Sequence, residues 1–166
     1  MRRIDPIILC IAIFFVLALA GGIFFAYKVG GKPMEAYSQS SKEKPKAEVS
    51  KTSADMGEMS VTDVKSVDFV IKNTGTKKLQ INNVSTSCDC TFAQITIGET
   101  TSQRFSMHYK SGAWLGEIEP GKEAKVIVTY EPSIMPVQGK VERIASMRTN
   151  DPENPNIAFT VTAEVK

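Results

Sequence analysis

The chain has few of the residues and motifs on which most enzymes depend. It holds one histidine, His108, and three cysteines in 166 residues, and it contains no Gly-x-Ser-x-Gly, phosphate-loop or His-Glu-x-x-His sequence. Cys90 and His108 could be paired as nucleophile and base, but the sequence places no third group to orient them. Three cysteines are also too few for a small disulfide-stapled scaffold. We therefore expect the protein not to be an enzyme.

A strong net charge is also missing. The formal charge is +2 at pH 7, and the basic excess lies in the N-terminal third. Residues 1–53 hold eight Lys and Arg against four acidic residues, whereas residues 54–166 hold twelve against fourteen. A protein that binds nucleic acid needs a basic surface to neutralise phosphates. The near-neutral C-terminal part therefore argues against a nucleic-acid partner.

One long uncharged run stands near the N-terminus. Ile7–Tyr27 is 21 residues without a charge, which at about 1.5 Å per residue spans a hydrocarbon core of about 30 Å. Arg2 and Arg3 precede it and favour an N-terminus that stays in the cytoplasm. The sequence thus predicts a cytoplasmic segment at residues 1–6, a single-pass signal anchor at residues 7–27 in the lipid bilayer, and an extracytoplasmic C-terminal part.

The alternative for this run is a signal peptide that is cleaved. Ala18-Leu19-Ala20 has the small residues that such a cleavage site requires. The apolar run continues past it through Ile23 to Tyr27, which favours the retained anchor. Cys10, inside the run, is interpreted as a small hydrophobic residue.

The next stretch, residues 28–53, has the composition of a flexible linker. Its sequence, KVGGKPMEAYSQSSKEKPKAEVSKTS, is rich in Lys, Ser, Gly and Pro and has no apolar period. We expect it to hold a folded domain away from the bilayer.

From residue 54 onward the sequence alternates in the manner of β-strands. Apolar residues recur at every second position in Val67–Ile71, Ala124–Tyr130 and Ile157–Val165. Turn sequences separate these runs, including Glu119-Pro120-Gly121-Lys122 and Asn150–Pro155. Lys140–Arg148 has strand propensity without clean alternation, which predicts a bulge.

This pattern predicts an all-β domain over residues 54–166. About seven short strands separated by turns are typical of an immunoglobulin-like antiparallel β-sandwich. Its expected core includes one set of inward-facing residues: Phe69, Ile71, Val126, Val128, Phe159 and Val161.

Several short motifs resemble those of the bacterial DUF1573 family, a relative of the ASPM-SPD-2-Hydin immunoglobulin-like domains. The motifs are Asn73-Thr74-Gly75, Ser87-Cys88-Asp89-Cys90-Thr91, Pro120-Gly121 and Thr149-Asn150-Asp151-Pro152. Many members have glycine where Asp89 stands, and residues 98–117 are longer than the common form. The resemblance implies a sandwich fold and a tethered or secreted protein, and it implies no reaction.

Cys88 and Cys90 are the candidate site, and three interpretations of them stay open. In an extended strand, residues two apart project from one face, so both sulfurs could bind one soft metal ion. Met107 and His108, in the longer insertion, are the candidate further ligands, and Cu(I) or Zn(II) the candidate ions. Alternatively, the pair forms a redox disulfide, which an extended i, i+2 geometry strains. In the third interpretation they are simply two small buried residues.

Two functions from different classes follow. The first is a membrane-tethered module that binds or scaffolds another protein of the cell envelope. The second is a soft-metal or thiol-redox module built on Cys88 and Cys90.

Overall fold

The computed structural model describes residues 6–29 and 32–166, and residues 1–5 of the predicted cytoplasmic segment lie outside the described part. The chain divides into two units, Met1–Lys32 and Pro33–Lys166. The first contains helix α1, Pro6–Val29. Across residues 6–29 and 32–166, no helix is both long enough and apolar enough to cross a membrane.

The second unit is a sandwich of two five-stranded sheets. Its strands are β1 Ala47–Val49, β2 Ser53–Met59, β3 Lys65–Asn73, β4 Leu79–Thr86, β5 Thr91–Ile97, β6 Thr100–Thr101, β7 Gly116–Ile118, β8 Glu123–Tyr130, β9 Gly139–Thr149 and β10 Asn156–Val165, with a short 3-10 helix at Pro132–Ile134. One sheet has the order β1-β3-β8-β5-β6 and the other β2-β10-β9-β4-β7. The predicted two-sheet sandwich is confirmed. Residues 33–166 hold ten strands rather than about seven, because β1, β6 and β7 are only two or three residues long.

The core lies between the sheets, where the predicted register places it. All six residues expected there are at most 1% exposed. Phe69 of β3 stacks on Phe159 of β10, with ring centroids 4.5 Å apart, so the two sheets meet through this pair. Phe69 also lies opposite Val126 in the β3–β8 ladder. Alternation with a period of two is enough to fix such a register, because a slip of one residue would expose every one of these side chains.

The sandwich begins earlier than residue 54. Ala47–Val49 pairs antiparallel with β3, and Ala47 is 7% exposed. The chain then crosses to the other sheet, where β2 runs parallel to β10. The predicted linker therefore differs from the structure over residues 47–53. The composition hid the strand because β1 is three residues long and buries only one alanine fully.

Residues 33–46 have no regular secondary structure apart from turns, but they contact the sandwich. The N–H of Glu35 donates to Oε1 of Gln80 at 2.7 Å, and Lys44 forms an ion pair with Glu153 at 2.6 Å. Lys44 also accepts a backbone hydrogen bond from Thr76. This part of the predicted linker is therefore attached to the domain.

A buried carboxylate attaches β1 to the loop between β9 and β10. Asp151 is fully buried and accepts hydrogen bonds from the N–H of Ala47 at 2.9 Å, the N–H of Glu153 at 2.9 Å and Nδ2 of Asn154 at 3.0 Å. Burial raises the pKa of Asp151, but these hydrogen bonds outweigh it and leave the pKa below its ordinary value. The ionised Asp151 side chain therefore has a structural role, and its hydrogen bonds all come from groups of the protein.

The turn after β3 depends on glycine at one position. Oδ1 of Asn73 accepts the N–H of Gly75 at 3.0 Å, which is the local bond that asparagine typically makes in turns. A Cβ on Gly75 would collide with the backbone of Lys44–Lys46. The Asn-Thr-Gly motif thus has a physical reason, since only glycine lets the incoming chain pass this closely.

The bulge that the sequence predicts in β9 is found in the adjacent strand β4. β9 pairs with β10 without interruption from Gly139 to Arg148. The register shift occurs in β4, between Asn82 and Ser85, where Asn83 has a φ of 49°. The predicted bulge within Lys140–Arg148 is therefore wrong, and its weak alternation has another cause, described below.

The insertion of residues 98–117 covers one side edge of the sandwich. Phe105 bridges to Ala93 of β5, while the N–H of Ser111 donates to the carbonyl of Val84 in β4. Phe105 and Trp114 contact each other at 5.2 Å between ring centroids. The insertion therefore spans both sheets and pairs with two strands that would otherwise be open edges.

Candidate functional site at the cysteine end

The Cys-Asp-Cys sequence forms a turn between the two sheets. β4 ends at Thr86 and β5 begins at Thr91, and the N–H of Thr91 donates to the carbonyl of Cys88 at 3.3 Å. The Cα atoms of Cys88 and Cys90 are 5.3 Å apart, and the two residues form a disulfide. The expected extended geometry is therefore wrong. The turn shortens the Cα separation to within the usual range for a disulfide.

Two threonines hold this turn. Oγ1 of Thr86 lies 2.7 Å from the carbonyl oxygen of Cys88 and 2.8 Å from that of Thr91, so the two carbonyls share its single proton. Oγ1 of Thr91 lies 3.3 Å from Sγ of Cys88 and 3.9 Å from Sγ of Cys90. The disulfide is nearly covered, since Cys88 is 7% exposed and Cys90 is fully buried. The Thr that follows the second cysteine thus provides a hydroxyl against both sulfurs.

Asp89, between the two cysteines, connects the turn to the insertion. Its carboxylate accepts hydrogen bonds from Oγ of Ser106 at 2.8 Å, from the N–H of His108 at 3.0 Å and from Nδ1 of His108. The side-chain bond to His108, followed by its backbone bond and the bond to Ser106, lowers the pKa of Asp89 to about 2. Asp89 therefore carries a negative charge at neutral pH and orients the imidazole.

The predicted metal ligands Cys88, Cys90, Met107 and His108 lie at the same end of the domain, but they do not form a set of ligands around one position. The insertion does fold back over the cysteine end, yet His108 contacts the carboxylate of Asp89. Its side chain is 74% exposed, and Met107 is half-buried beside it. Met135, another thioether at this end of the domain, is 48% exposed after the 3-10 helix. Among the described residues, no three His, Cys, Asp or Glu side chains form a cluster able to hold a metal ion.

An arginine and a tyrosine beneath this end were not singled out from the sequence. Arg143 of β9 alternates with Ala145 and Met147 and therefore points inward. Its guanidinium carbon lies 5.2 Å from the ring centroid of Tyr130, a fully buried residue of β8. Nε of Arg143 and Oη of Tyr130 are buried without a hydrogen-bond partner in the described part of the chain. A charged residue at an inward position is what obscured the alternation of β9.

A second arginine lies on the outer surface of the same end. The guanidinium carbon of Arg104 stands 3.7 Å from the ring centroid of Phe92, and Arg104 also forms an ion pair with Glu131. The N–H of Glu131 in turn donates to the carbonyl of Cys90 at 2.8 Å. The insertion, the disulfide turn and the start of the β8–β9 loop are thus held together.

Exposed apolar side chains of the sandwich concentrate at this end. The β2–β3 turn, the insertion and the β8–β9 loop all reach it, because Lys65 at the start of β3 and Thr91 at the start of β5 both pair with Tyr130. Five large apolar residues in these loops are 38–76% exposed: Val64, Tyr109, Ile134, Met135 and Val137. We call this surface the cysteine end. The loops at the opposite end, residues 74–78, 119–122 and 150–155, have no exposed large apolar residue.

The comparison with known families confirms the resemblance suggested by the short motifs. The model of DUF1573, described as a protein of unknown function, matches residues 47–117. Residues 47–117 belong to DUF1573. The DUF1573 match begins at the first residue of β1 and includes the disulfide turn and the whole insertion of residues 98–117. No curated protein matches the chain.

Solved structures resemble the chain in fold. A protein of unknown function from Porphyromonas gingivalis W83 is 22% identical, with a TM-score of 0.55 over 74% of this chain and 47% of that one. The chain thus spans about half the length of that protein. An ASH/PapD-like domain of human CEP192 is 14% identical, with a TM-score of 0.48 over 81% of this chain and 98% of that domain.

Proposed function

We propose that the DUF1573 domain is a membrane-tethered, extracytoplasmic immunoglobulin-like module that binds another protein of the cell envelope through its cysteine end. The observation that carries this proposal is the concentration of exposed apolar residues there. Exposed apolar groups gathered at one place on a soluble domain are typical of interaction sites. Tyr109 is 76% exposed, and tyrosine is among the residues that dominate binding energy at interfaces.

The side edges of the sandwich are less suited to this role than the loops. Nζ of Lys65 donates to the carbonyls of Met56 and Glu58 in the edge strand β2, at 2.8 and 2.7 Å. A lysine at this position is a common protection against strand addition. The insertion covers the other edge. Binding through loops on a rigid scaffold is therefore favoured over the addition of a strand.

The tether and the location belong to the same proposal. They are supported by the 21 uncharged residues of Ile7–Tyr27 and by the exposed apolar side chains of α1, such as Phe14 at 69% and Leu17 at 66%. Such side chains are stabilised by transfer out of water. No helix of the described residues is long and apolar enough to cross a membrane, so our proposal of residues 7–27 as a single-pass anchor of the cell membrane is carried by the uncharged run in the sequence. We also propose a role without catalysis.

Site-specific photo-crosslinking in intact cells tests the binding surface. A photoreactive phenylalanine analogue at Tyr109 or at Met135 is expected to form crosslinks to one partner. The matched control is the same analogue at Lys122, an exposed residue at the opposite end. If Lys122 forms the same crosslinks as Tyr109 and Met135, or if only Lys122 does, the cysteine end is not the binding surface.

The second candidate function is the soft-metal or thiol-redox module. Of these two alternatives, the disulfide favours the thiol-redox module over the metal-binding module, because a bonded cysteine pair offers no thiolate to an ion. A metal site would require the reduced pair. In that state Cys88 and Cys90 with His108 or Met107 are the proposed ligands for Cu(I) or Zn(II).

A further inference from the structure

We propose that the Cys88–Cys90 disulfide is a reversible clasp that controls the loop of residues 106–109, and that a dithiol of the cell envelope opens it. The inference rests on the proposed binding function of the cysteine end, because this loop carries Tyr109. The disulfide would thereby regulate the surface that the domain presents to its partner.

The geometry connects the disulfide to the loop through one residue. Asp89 is bonded on both sides to a cysteine of the disulfide, so the bond restricts the direction in which its carboxylate points. That carboxylate accepts the three hydrogen bonds from Ser106 and His108 described above. The loop is also closed on itself, since Ser106 and Tyr109 exchange hydrogen bonds at 2.9 and 3.2 Å. It therefore moves as a unit whose position depends on Asp89.

Reduction releases the restriction on Asp89. Without the sulfur–sulfur bond, the two cysteines no longer need Cα atoms at 5.3 Å, and the residues between them gain backbone freedom. To keep the three hydrogen bonds of Asp89, the reduced chain must then give up this added backbone freedom, so the bonds hold the loop less firmly. We expect the loop to populate conformations in which Tyr109 leaves its oxidised position.

The exchange reaction balances with a dithiol as the reductant. One thiolate of the dithiol attacks Sγ of Cys88, the more exposed residue of the pair. The Cys88–Cys90 bond breaks, and its electron pair leaves on Sγ of Cys90. The second thiolate of the dithiol attacks the mixed disulfide and releases Sγ of Cys88. The dithiol loses two electrons and becomes a disulfide, while its two protons pass to the two cysteine sulfurs.

The structure also contains a group suited to the reduced state. Oγ1 of Thr91 lies 3.3 Å from Sγ of Cys88, so its hydroxyl can donate to a thiolate there. A hydrogen bond to the charged form favours that form and makes the thiol more reactive. We infer that Thr91 positions and stabilises the Cys88 thiolate during exchange.

Hydrogen exchange on the full chain tests the clasp. The protein is purified with Cys10 replaced by serine, so that Cys88 and Cys90 are its only cysteines, and dithiothreitol serves as the dithiol probe. Free thiols are counted with a thiol reagent, and amide exchange is followed by NMR. On reduction, exchange of the His108 and Tyr109 amides is expected to accelerate about tenfold or more, as for a local opening, while Val126 and Val128 in β8 change little.

Two variants complete the test. Asp89→Asn keeps the disulfide and the size of the side chain but removes the charge, so it should accelerate exchange at His108 without reduction. Thr91→Val keeps the shape and removes the hydroxyl, so it should slow reoxidation of the reduced pair by oxidised dithiothreitol severalfold, because the Cys88 thiolate is the attacking group in that direction.

Three results would overturn the clasp. The first is a reduced protein, with free thiols, whose exchange at His108 and Tyr109 is unchanged; the second is reduction that always accelerates exchange at Val126 as well. The third is unchanged exchange at His108 in the oxidised Asp89→Asn variant. None of these measurements involves a partner. If reduction accelerates exchange at His108 and Tyr109 but Tyr109 forms no crosslinks in cells, the proposed binding surface is rejected and the clasp is retained.

Discussion

The carboxylate of Asp89 accepts hydrogen bonds from two groups of His108, the backbone N–H at 3.0 Å and Nδ1 of the ring. The partner of the histidine is thus the residue between the cysteines and not the cysteines themselves. This arrangement fixes the orientation of the ring and leaves Nε2 as its other nitrogen. One acidic residue at the middle position of the Cys-x-Cys motif therefore holds the part of the insertion around Ser106 and His108.

This relationship predicts how the loop responds to acid. The hydrogen bonds lower the pKa of Asp89 from an ordinary value of 3.8 to about 2, so the ionised form is favoured in the folded state. The contribution of the Asp89 carboxylate to the stability of the folded loop is fully present above about pH 4 and is lost as the pH falls through about 2. NMR of the His108 amide from pH 6 down to about pH 1 should show this transition, and Asp89→Asn should lack it. A wild-type midpoint at or above 3.8 would mean that the bonds do not favour the carboxylate in solution.

The core provides a prediction about stability. Phe69 is 1% exposed and stacks on Phe159, so Phe69→Ala should lower the free energy of unfolding by about 3–5 kcal/mol. The matched control is Val70→Ala, the next residue of β3, which is 37% exposed and should cost below about 1 kcal/mol. Denaturant unfolding of both variants measures the difference. Similar losses for the two would contradict the register described here.

The core register and the site differ in how far the sequence determines them. The position of Phe69 followed from alternation alone, because every second residue of a strand faces the same way. The partners of Asp151 and Asp89 did not, since both depend on segments that are distant in sequence and lack a period. β1 is an example, because its three residues pair with β3 while the N–H of Ala47 donates to Asp151, 104 residues away in the sequence.

The disulfide shows a second limit of sequence reasoning. The spacing of Cys88 and Cys90 at the end of β4 predicts an extended strand, in which a bond between them is strained. The turn that brings their Cα atoms to 5.3 Å depends on Thr86, whose hydroxyl donates across it. A local hydrogen bond of this kind competes with strand geometry but leaves no apolar pattern in the sequence.

Asp151 should contribute more to stability than a surface carboxylate of the same loop. Asp151→Ala leaves the buried N–H of Ala47 without an acceptor, and a loss of about 2–4 kcal/mol is expected from such unpaired groups. Glu153→Ala removes an exposed ion pair with Lys44 and should cost about 1 kcal/mol or less. Because hydrogen bonds keep the pKa of Asp151 below its ordinary value, its contribution should be present above that value and lost as the pH falls below it. Unfolding experiments on both variants at several pH values check this, and equal losses at neutral pH would contradict it.

The proposed topology predicts which residues an external reagent can reach. In a chain with Cys10→Ser, Lys42→Cys places a thiol at an exposed position of the domain. A membrane-impermeant maleimide should label it in intact cells, while Arg3→Cys, in the proposed cytoplasmic segment, should be labelled only after lysis. Protection of Lys42→Cys in intact cells would reject an extracytoplasmic domain.

The soft-metal hypothesis becomes a prediction about the reduced protein only. In a Cys10→Ser background, the oxidised chain should hold no stoichiometric Cu(I) or Zn(II), whereas the reduced chain should hold one equivalent through Cys88 and Cys90. Because thiolates must lose their protons to bind, affinity should fall as the pH decreases through the range of cysteine.

Variants of the proposed ligands distinguish this site from adventitious binding. Changing both Cys88 and Cys90 to serine should abolish the bound metal, since serine keeps the size of cysteine and is a poor ligand for soft ions. His108→Ala should weaken binding without abolishing it, because Nδ1 is bonded to Asp89 and only the other ring nitrogen is left to coordinate. Metal analysis of the purified reduced proteins is the measurement. Equal metal content in the reduced parent and the double serine variant would remove the metal hypothesis and leave the disulfide as a purely redox element.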